Sequence, residues 1–458
     1  MGEHPTVAVE ATLDFALWRT ASRMQPATLR TVALPGPTAP VDLNVGVETL
    51  QTLRAAANDF GSIVAFDDSR RGPTVFVNSP EHVAQLLLRQ HKKLRKGSDF
   101  ERVRMLLGNG IIVNDGELWR RHRRALQPAF TRRRIVSHVA SMDKITERLA
   151  AEWRAAASAG TAVDINTTMS QFGLEVILRA ILSDDFDARF ADSATNPFRF
   201  LSEEFARDLR AVTKLRSARR DVEAIIEERR RTARRTDDFL DEMLFGDQAK
   251  AAELSLKEIV DEVMTLVVAG YETSAATLTF AWNELAVRPE LAGRLVAEFA
   301  AADELAEQPL EWMAAVPLMR AVLHETLRLY PPVWLFSRSS GERVDVLDLS
   351  LPAKTTIMLS PYLLHRHPAY WTDAEQFLPE RFVDSAEQPA YMPFSLGPRR
   401  CIGEYFSLLE MCRHFRVLLS AFVPQRAQET VADLAFGINL RPGHNVALTL
   451  TPRAETRP

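Results

Sequence analysis

One long apolar stretch constrains the fold of this chain more than any other feature. Residues 255–287 predict a single helix, because Ser255 and Glu258 can form a capping box at its start and Pro289 follows its end. At 1.5 Å per residue, such a helix is about 48 Å long, enough to cross the whole molecule. Its middle, residues 263–276, is apolar almost all round, which is typical of a buried helix. The rest of the chain must therefore pack around it.

Polar residues interrupt this apolar helix at one place. Gly270 costs helix stability, about 1 kcal/mol relative to alanine, and Glu272, Thr273 and Ser274 bring a carboxylate and hydroxyls that need partners. We expect the Thr273 hydroxyl to bond to the carbonyl of Ala269, four residues earlier. A groove beside Gly270 would then hold a small ligand next to a proton donor. The alternative is a helix with a packing glycine and a satisfied threonine.

The second constraint is one of only two cysteines in the chain. Cys401 follows a basic turn with Gly397 and Arg399, and it precedes an apolar, helix-like run at residues 405–419. Nearby cations and a helix N-terminus favour a thiolate. With no second cysteine or histidine close in sequence, this is a poor zinc site, whereas haem needs one protein atom on each axial side. The alternative is a buried structural cysteine, which is how we interpret Cys412.

Residues 394–403 resemble the haem-binding signature of the cytochrome P450 family. The pattern F-x-x-G-x-R-x-C-x-G is matched at five positions: Phe394, Gly397, Arg399, Cys401 and Gly403. Five motifs follow the family's order between about residue 60 and residue 450. The resemblance implies a haem b with the Cys401 thiolate as its axial metal ligand. The haem would be held non-covalently, because the chain has no C-x-x-C-H attachment motif.

The same resemblance assigns roles within the long helix. Residues 269–274 match the family's A/G-G-x-D/E-T-T/S motif, which lies over the haem face where O₂ binds. It implies that Thr273 forms hydrogen bonds at that face and that Glu272 relays protons. Ala269 and Gly270 complete the predicted catalytic segment.

Further motifs imply contacts to the two haem propionates. Trp119 and Arg123 lie four residues apart, on one face of a predicted helix, where an indole N–H and a guanidinium can hold a carboxylate. The alternative is a solvated basic helix. Arg338 lies ten residues after Arg328, where relatives place another propionate-binding arginine.

Glu325 and Arg328 form an E-x-x-R pair, which alone would most often be a surface ion pair. Their surroundings are apolar, and residues 377–382 match the family's F-x-P-E-R-F stretch. The resemblance implies that Glu325, Arg328 and Arg381 form a buried network that fixes the loop before the cysteine. Breaking it would cost about 3–5 kcal/mol.

The substrate pocket is less well defined by the sequence. Helices within residues 182–237 are expected to cover it, and this span is short for the family. The charged run 223–235 is interpreted as solvated surface. The pocket candidates are apolar: Val267, Val268, Val333, Leu335, Phe336 and Ile438.

Bulk properties exclude other classes. A net charge of −4 argues against a nucleic-acid binder, and two cysteines in 458 residues indicate a reducing compartment, here the cytoplasm. The sequence contains no run of 18 apolar residues, so no transmembrane segment is predicted.

The resemblance implies a mainly α fold with small β-sheets, the cytochrome P450 fold with its long central helix over the haem. A single domain would span residues 1–458, with residues 1–45 as an extension that packs on it or is partly flexible.

The predicted activity is that of a monooxygenase, inserting one oxygen atom from O₂ into an apolar organic substrate by hydroxylation or epoxidation. Electrons would come from a separate ferredoxin or flavodoxin with its reductase, and a basic patch including Arg120, Arg121, Arg124 and residues 132–134 is the candidate docking surface. A monomer is expected. Two alternatives stay open: a peroxide-driven or non-redox enzyme of the family, and a haem-thiolate sensor without turnover.

Overall fold

A computed structural model describes residues 34–190, 196–201, 209–385, 388, 390–427 and 433–454, with side chains of 209–212 excepted. The fold is mainly α with small sheets, as predicted. Its helices are α1 (Val47–Phe60), α2 (Pro80–Ala84), α3 (Phe100–Leu107), α4 (Gly116–Leu126), α5 (Arg132–Val136), α6 (Val139–Ser158), α7 (Ile165–Leu182), α8 (Asp184–Phe190), α9 (Leu209–Thr232), α10 (Phe239–Phe245), α11 (Asp247–Ala252), α12 (Leu256–Ala286), α13 (Pro289–Ala301), α14 (Pro309–Ala314), α15 (Pro317–Leu329), α16 (Pro361–Leu364) and α17 (Glu404–Ala421). Its strands are β1 (Ile63–Asp68), β2 (Gly72–Val77), β3 (Leu94–Lys96), β4 (Val163–Asp164), β5 (Phe336–Ser340), β6 (Val344–Val346), β7 (Leu349–Leu351), β8 (Thr356–Leu359), β9 (Phe422–Arg426), β10 (Leu434–Phe436), β11 (Leu440–Pro442) and β12 (Ala447–Pro452).

The long helix α12 forms within one residue of its predicted bounds. Ser255 and Glu258 make the complete capping box, each side chain bonding the other's backbone N–H. Pro289 begins the next helix and so separates α12 from α13. Most of α12 is buried in one large apolar cluster, in which it packs along α7. This helix is the axis around which the other helices are arranged.

The largest sheet has five strands in the order β1-β2-β8-β5-β3. Its first two strands form an antiparallel hairpin, and Ser79 caps α2 with Pro80 as the first helical residue. The described part of the N-terminal extension packs on this sheet, where the Ala65 N–H donates to the Pro35 carbonyl and Val41 pairs with Asp68. Residues 1–33 of the extension lie outside the described residues.

The predicted cover, residues 182–237, contains α8 and α9, and part of it lies outside the described residues. The interpretation of residues 223–235 as solvated surface was wrong at Arg229. This guanidinium is fully buried and binds the carboxylates of Asp185 and Asp238, joining α9 to the first turn of α8 and to the residue that caps α10. Among the described helices, none is long and apolar enough to cross a membrane.

Candidate active site

Residues 392–403 form the Cys401 segment, a turn that leads directly into α17. The Cys401 N–H donates to the Phe394 carbonyl at 2.9 Å, which closes the turn. Gly397 has φ +71°, and a Cβ there would lie 2.3 Å from the Leu87 carbonyl oxygen. Glycine is therefore required at this position by conformation and by space. Gly403 opens α17, and a Cβ there would lie 4.0 Å from the Cys401 sulfur.

The electrostatics of Cys401 fit a metal ligand. Cys401 is exposed at its surface, yet the protein atoms around it desolvate the thiol and raise its pKa. The Gly403 backbone N–H, Arg123 and Arg400 lower this pKa, and Glu404 raises it. Because burial dominates, a thiolate here needs a further positive partner, and a haem iron supplies one. Cys412 is fully buried, as predicted for a core residue.

A cluster of cations fits a group with two carboxylates. Strand pairing places Lys96 of β3 directly opposite Arg338 of β5, and Arg399 acts on both. Burial is the largest cause that lowers the pKa of Lys96 well below its usual value and the pKa values of Arg338 and Arg399 to about 10. Repulsion within the cluster lowers the pKa of Lys96 and Arg338 further, whereas Arg399 is repelled by Arg95 and Arg123. Asp115 is the acid that opposes these cations. Like charges placed opposite each other destabilise a strand pair, so this cluster fits the propionates of haem.

Trp119 and Arg123 lie in the same region. The Arg399 guanidinium stacks over the Trp119 ring at 4.2 Å, and Arg123 Nη1 donates to the Arg400 carbonyl at 3.0 Å. Helix α4 is thereby placed against the Cys401 segment. In this structure, Arg123 also donates to the Gln127 side chain.

Other side chains of α4 hold it against α12. His122 is fully buried between Glu258 and Glu262, and their carboxylates raise its pKa against the opposing effect of burial. Arg121 also pairs with Glu258. Arg121 was assigned with Arg120 and Arg124 to the candidate docking patch, but it is half-buried and contributes to the contact with α12.

The E-x-x-R pair is fully buried. Arg328 donates from Nε and Nη2 to the two carboxylate oxygens of Glu325, both at 2.7 Å. Its remaining N–H groups reach the carbonyls of His365, Ala374 and Gln376. Arg381 lies 3.4 Å from the Glu325 carboxylate, so the structure brings the three predicted residues together.

His365 connects this pair to the Cys401 segment and was not identified from the sequence. Its Nδ1 lies 3.2 Å from the Arg328 carbonyl, and its Nε2 accepts the Met392 N–H at 2.9 Å. Burial lowers its pKa to about 3, so the ring is neutral and can accept that bond. The sequence gives no indication of this role, because His365 is far in sequence from both partners and meets them only in the folded protein.

The middle of α12 matches one prediction and corrects another. The Thr273 hydroxyl donates to the Ala269 carbonyl at 2.8 Å, as predicted. At Gly270, however, a Cβ would lie 2.9 Å from Cγ1 of Ile177 on α7. The missing side chain at Gly270 therefore lets two helices approach, and the predicted ligand groove is wrong on this side of α12.

The neighbouring polar groups have partners from distant elements. Glu272 accepts a hydrogen bond from the Asn439 amide at 2.8 Å, and burial raises its pKa against the effects of Asn439 and Arg441. The Ser274 hydroxyl donates to Glu410 of α17 at 3.2 Å. Glu410 is buried, which raises its pKa to about 8. The sequence shows both acids but not these pairings.

The pocket candidates differ in their exposure. Val267 is fully buried in the apolar core, so its assignment to the pocket is wrong. Val333 and Ile438 are exposed, Ile438 by 73%, and Val268, Leu335 and Phe336 are half-buried. The Arg338 guanidinium lies 4.8 Å from the centre of the Phe336 ring, next to the basic cluster.

Comparisons with known proteins agree with this geometry. A family model described as Cytochrome P450 matches residues 42–434. Cyclooctat-9-en-7-ol 5-monooxygenase of Streptomyces melanosporofaciens is 32% identical over 72% of this chain and 76% of its own length. Cyclooctatin synthase of the same organism is 30% identical over 96% of this chain and 98% of its own, and pentalenene oxygenase of Streptomyces avermitilis is 29% identical over 84% and 90%.

Proposed function

This chain belongs to the cytochrome P450 family of haem-thiolate monooxygenases, and we propose that Cys401 is its axial haem ligand. The bound haem supplies the activation of O₂ with two electrons, so that one oxygen atom enters the substrate and the other leaves as water. Lys96, Arg338 and Arg399, with Trp119 and Arg123, would hold the propionates. The observation that carries the proposal is this cation cluster, in which Arg338 is buried and Arg399 lies two residues before Cys401, because a dianionic group would neutralise its positive charge.

The chain's own residues would handle the protons. The Thr273 hydroxyl donates its hydrogen bond to the Ala269 carbonyl, so its oxygen keeps lone pairs that can accept another hydrogen bond. Glu272, in the adjacent position, keeps its proton to a higher pH than usual because burial raises its pKa. We assign proton supply to Glu272 and hydrogen bonding at the reaction side to Thr273. This pair favours use of O₂ over the peroxide-driven or non-redox alternative.

The proposed substrate is an apolar carbocycle of the terpenoid kind. Half-buried and exposed apolar side chains at Val268, Val333, Leu335 and Ile438 can contact such a skeleton. The names of two relatives contain cyclooctat-9-en-7-ol and pentalenene. A screen of such compounds by the optical spin-state shift of the ferric haem tests this, and a response confined to charged or strongly polar compounds would contradict it.

The proposed electron donor is a separate acidic ferredoxin or flavodoxin. Arg120, Arg124, Arg132 and Arg133 are exposed on and just beyond α4, whose Arg123 contacts the Cys401 segment. A surface depression of about 400 Å³ lined by Trp119, Arg120 and Arg124 lies in this patch. The single-domain organisation, the monomeric state and the cytoplasmic location stay predictions.

The test of the central proposal uses the two cysteines against each other. Cys401→Ser should abolish the strongly red-shifted Soret band of the reduced, CO-bound protein, because that band requires a thiolate ligand. Cys412→Ala should retain the band. Loss of the band in Cys412→Ala, with retention in Cys401→Ser, would overturn the assignment. A haem-thiolate sensor, the remaining alternative, would show the band but no product when electrons are supplied.

A further inference from the structure

The Glu272 carboxylate is held by a different part of the chain from the helix that carries it. Asn439 lies in the turn between β10 and β11 and donates its amide N–H to Glu272 Oε2 at 2.8 Å. Within the described residues, no other side chain hydrogen-bonds this carboxylate. Arg441, on the same hairpin, is the cation that acts on Glu272, and Tyr271 is its neighbour on α12. The position of this acid therefore depends on the hairpin.

The turn end of the hairpin is fixed to the protein by residues on both sides of Ile438 and Asn439. The Leu440 N–H donates to the Pro332 carbonyl, and the Trp334 indole N–H donates to the Gly437 carbonyl, both at 2.8 Å. The Phe436 ring packs edge-on against Trp334, with 5.0 Å between ring centres. The strands thus hold the turn in place beside α12.

At the tip of the turn, by contrast, the side chain of Ile438 is exposed. Phe436 pairs with Leu440, so the turn has three residues, and Ile438 stands next to Asn439 with 73% of its surface exposed. Covering an exposed isoleucine with an apolar molecule is favourable, because apolar surface is then removed from water. Because three residues share one tight turn, a molecule that presses on Ile438 also displaces Asn439.

From these contacts we propose that Asn439 is a positioning residue, which holds the Glu272 carboxylate and links it to apolar substrate at Ile438. The inference rests on the proposed function. In each transfer, the protonated Glu272 carboxyl would give its proton to the Thr273 oxygen while the Thr273 hydroxyl gives its own proton to the oxygen atom that leaves as water. A hydronium ion from solvent would then return the proton to Glu272. Apolar substrate that packs against Ile438 changes the position of Asn439 and hence its hydrogen bond to Glu272. The hairpin thereby makes proton supply depend on substrate fit.

The test uses the haem-loaded protein and four variants: Asn439→Ala, Ile438→Ala, Glu272→Gln and the control Asn445→Ala. Asn445 also donates to a carboxylate, that of Asp164, on an exposed surface. The probes are pentalenene and cyclooctat-9-en-7-ol. Coupling is measured as product per reducing equivalent and peroxide formed, and the ionisation of Glu272 is followed by difference infrared spectroscopy against Glu272→Gln.

Asn439→Ala should raise the pKa of Glu272, because an N–H donor that stabilises the carboxylate is lost. Coupling should fall about twofold or more, towards that of Glu272→Gln, with the CO-bound spectrum intact. Asn445→Ala should change neither quantity. Either probe should shift the ionisation of Glu272 in the wild type, and Ile438→Ala should reduce that shift.

Unchanged coupling and ionisation in Asn439→Ala, with impaired coupling in Glu272→Gln, would overturn the inference and leave the proposed function standing. An ionisation of Glu272 that neither probe shifts would overturn the link to Ile438. Unchanged coupling in both Glu272→Gln and Thr273→Ala would instead remove the proton relay from the proposed function.

Discussion

The Cys401 segment and the middle of α12 both contribute to the candidate site, and the protein holds them in different ways. The Cys401 segment is supported by a fully buried ion pair, Glu325 and Arg328, and by the neutral ring of His365. In α12, the Thr273 hydroxyl bonds to its own helix, and Glu272 depends on one amide from a hairpin. The side that would bind the metal is fixed by charged groups with several bonds each. The side that would handle protons is held by single bonds that can be exchanged.

The largest effect should come from breaking the buried ion pair. Arg328→Ala leaves the Glu325 carboxylate buried without its main partner, which should lower the free energy of unfolding by about 3–5 kcal/mol. The red-shifted CO band should weaken or give way to the less shifted band of haem without a thiolate ligand, because His365 and the Met392 backbone are no longer fixed. Denaturant unfolding and the CO-difference spectrum measure these changes.

The matched control is Arg294→Ala, which removes an ion pair with Glu380 in which both side chains are more than half exposed. It should change the stability by about 0.5 kcal/mol or less. Equal losses in Arg328→Ala and Arg294→Ala would show that the support of the Cys401 segment lies elsewhere.

The comparison also explains what could be predicted. The capping box, the Glu325–Arg328 pair and the Thr273–Ala269 bond are encoded by residues three or four positions apart, so spacing alone indicates them. Lys96, His365 and Asn439 meet their partners across more than 20 residues of chain, through strand register and loop packing. No spacing rule reports such a contact, and these residues were missed.

Two of the corrected predictions, those at Gly270 and Arg229, have a similar physical origin. Gly270 was interpreted as opening a ligand groove because its own helix offers no side chain there, whereas the space is filled by Ile177 of another helix. Arg229 was interpreted as solvated because it lies in a charged run, whereas Asp185 and Asp238 compensate it in the interior. In both cases the deciding atoms belong to an element that local sequence does not identify.

Glu410 joins the two regions, because this residue of α17 accepts the Ser274 hydroxyl of α12. Burial raises its pKa to about 8, above the unfolded value. The resulting stability is therefore present below about pH 4.5 and is lost as the pH rises to about 8, by a few kcal/mol at most. In Glu410→Gln this pH dependence should disappear from unfolding measured at pH 5 and pH 8. A parallel loss in both proteins would place its origin in another group.

Gly270→Ala tests helix packing with a smaller effect. The new methyl group would press on Ile177, at a cost of about 1–3 kcal/mol, offset by about 1 kcal/mol from helix propensity. Gly293→Ala on α13, where a Cβ meets nothing within 4 Å, should instead stabilise by about 0.5–1 kcal/mol. Ile177→Ala should relieve the strain of Gly270→Ala in a double variant. Stabilisation by Gly270→Ala alone would restore the ligand-groove interpretation.

The smallest effect, and one confined to kinetics, concerns the outer surface of the cysteine side. Arg120 and Arg124 are exposed on α4, and within the described part of the chain Arg120 pairs only with the exposed Glu117, so charge reversal should leave folding intact. If an acidic donor docks here, Arg120→Glu plus Arg124→Glu should slow its reduction of the haem about tenfold at low salt, while dithionite reduction is unchanged. Arg54→Glu plus Arg220→Glu makes the same charge change on α1 and α9 and should have little effect. The difference should shrink as added salt shortens the Debye length below about 10 Å. Equal slowing by both double variants would show that the net charge of the protein, and not the position of these arginines, sets the rate. No slowing by either would place the docking surface elsewhere.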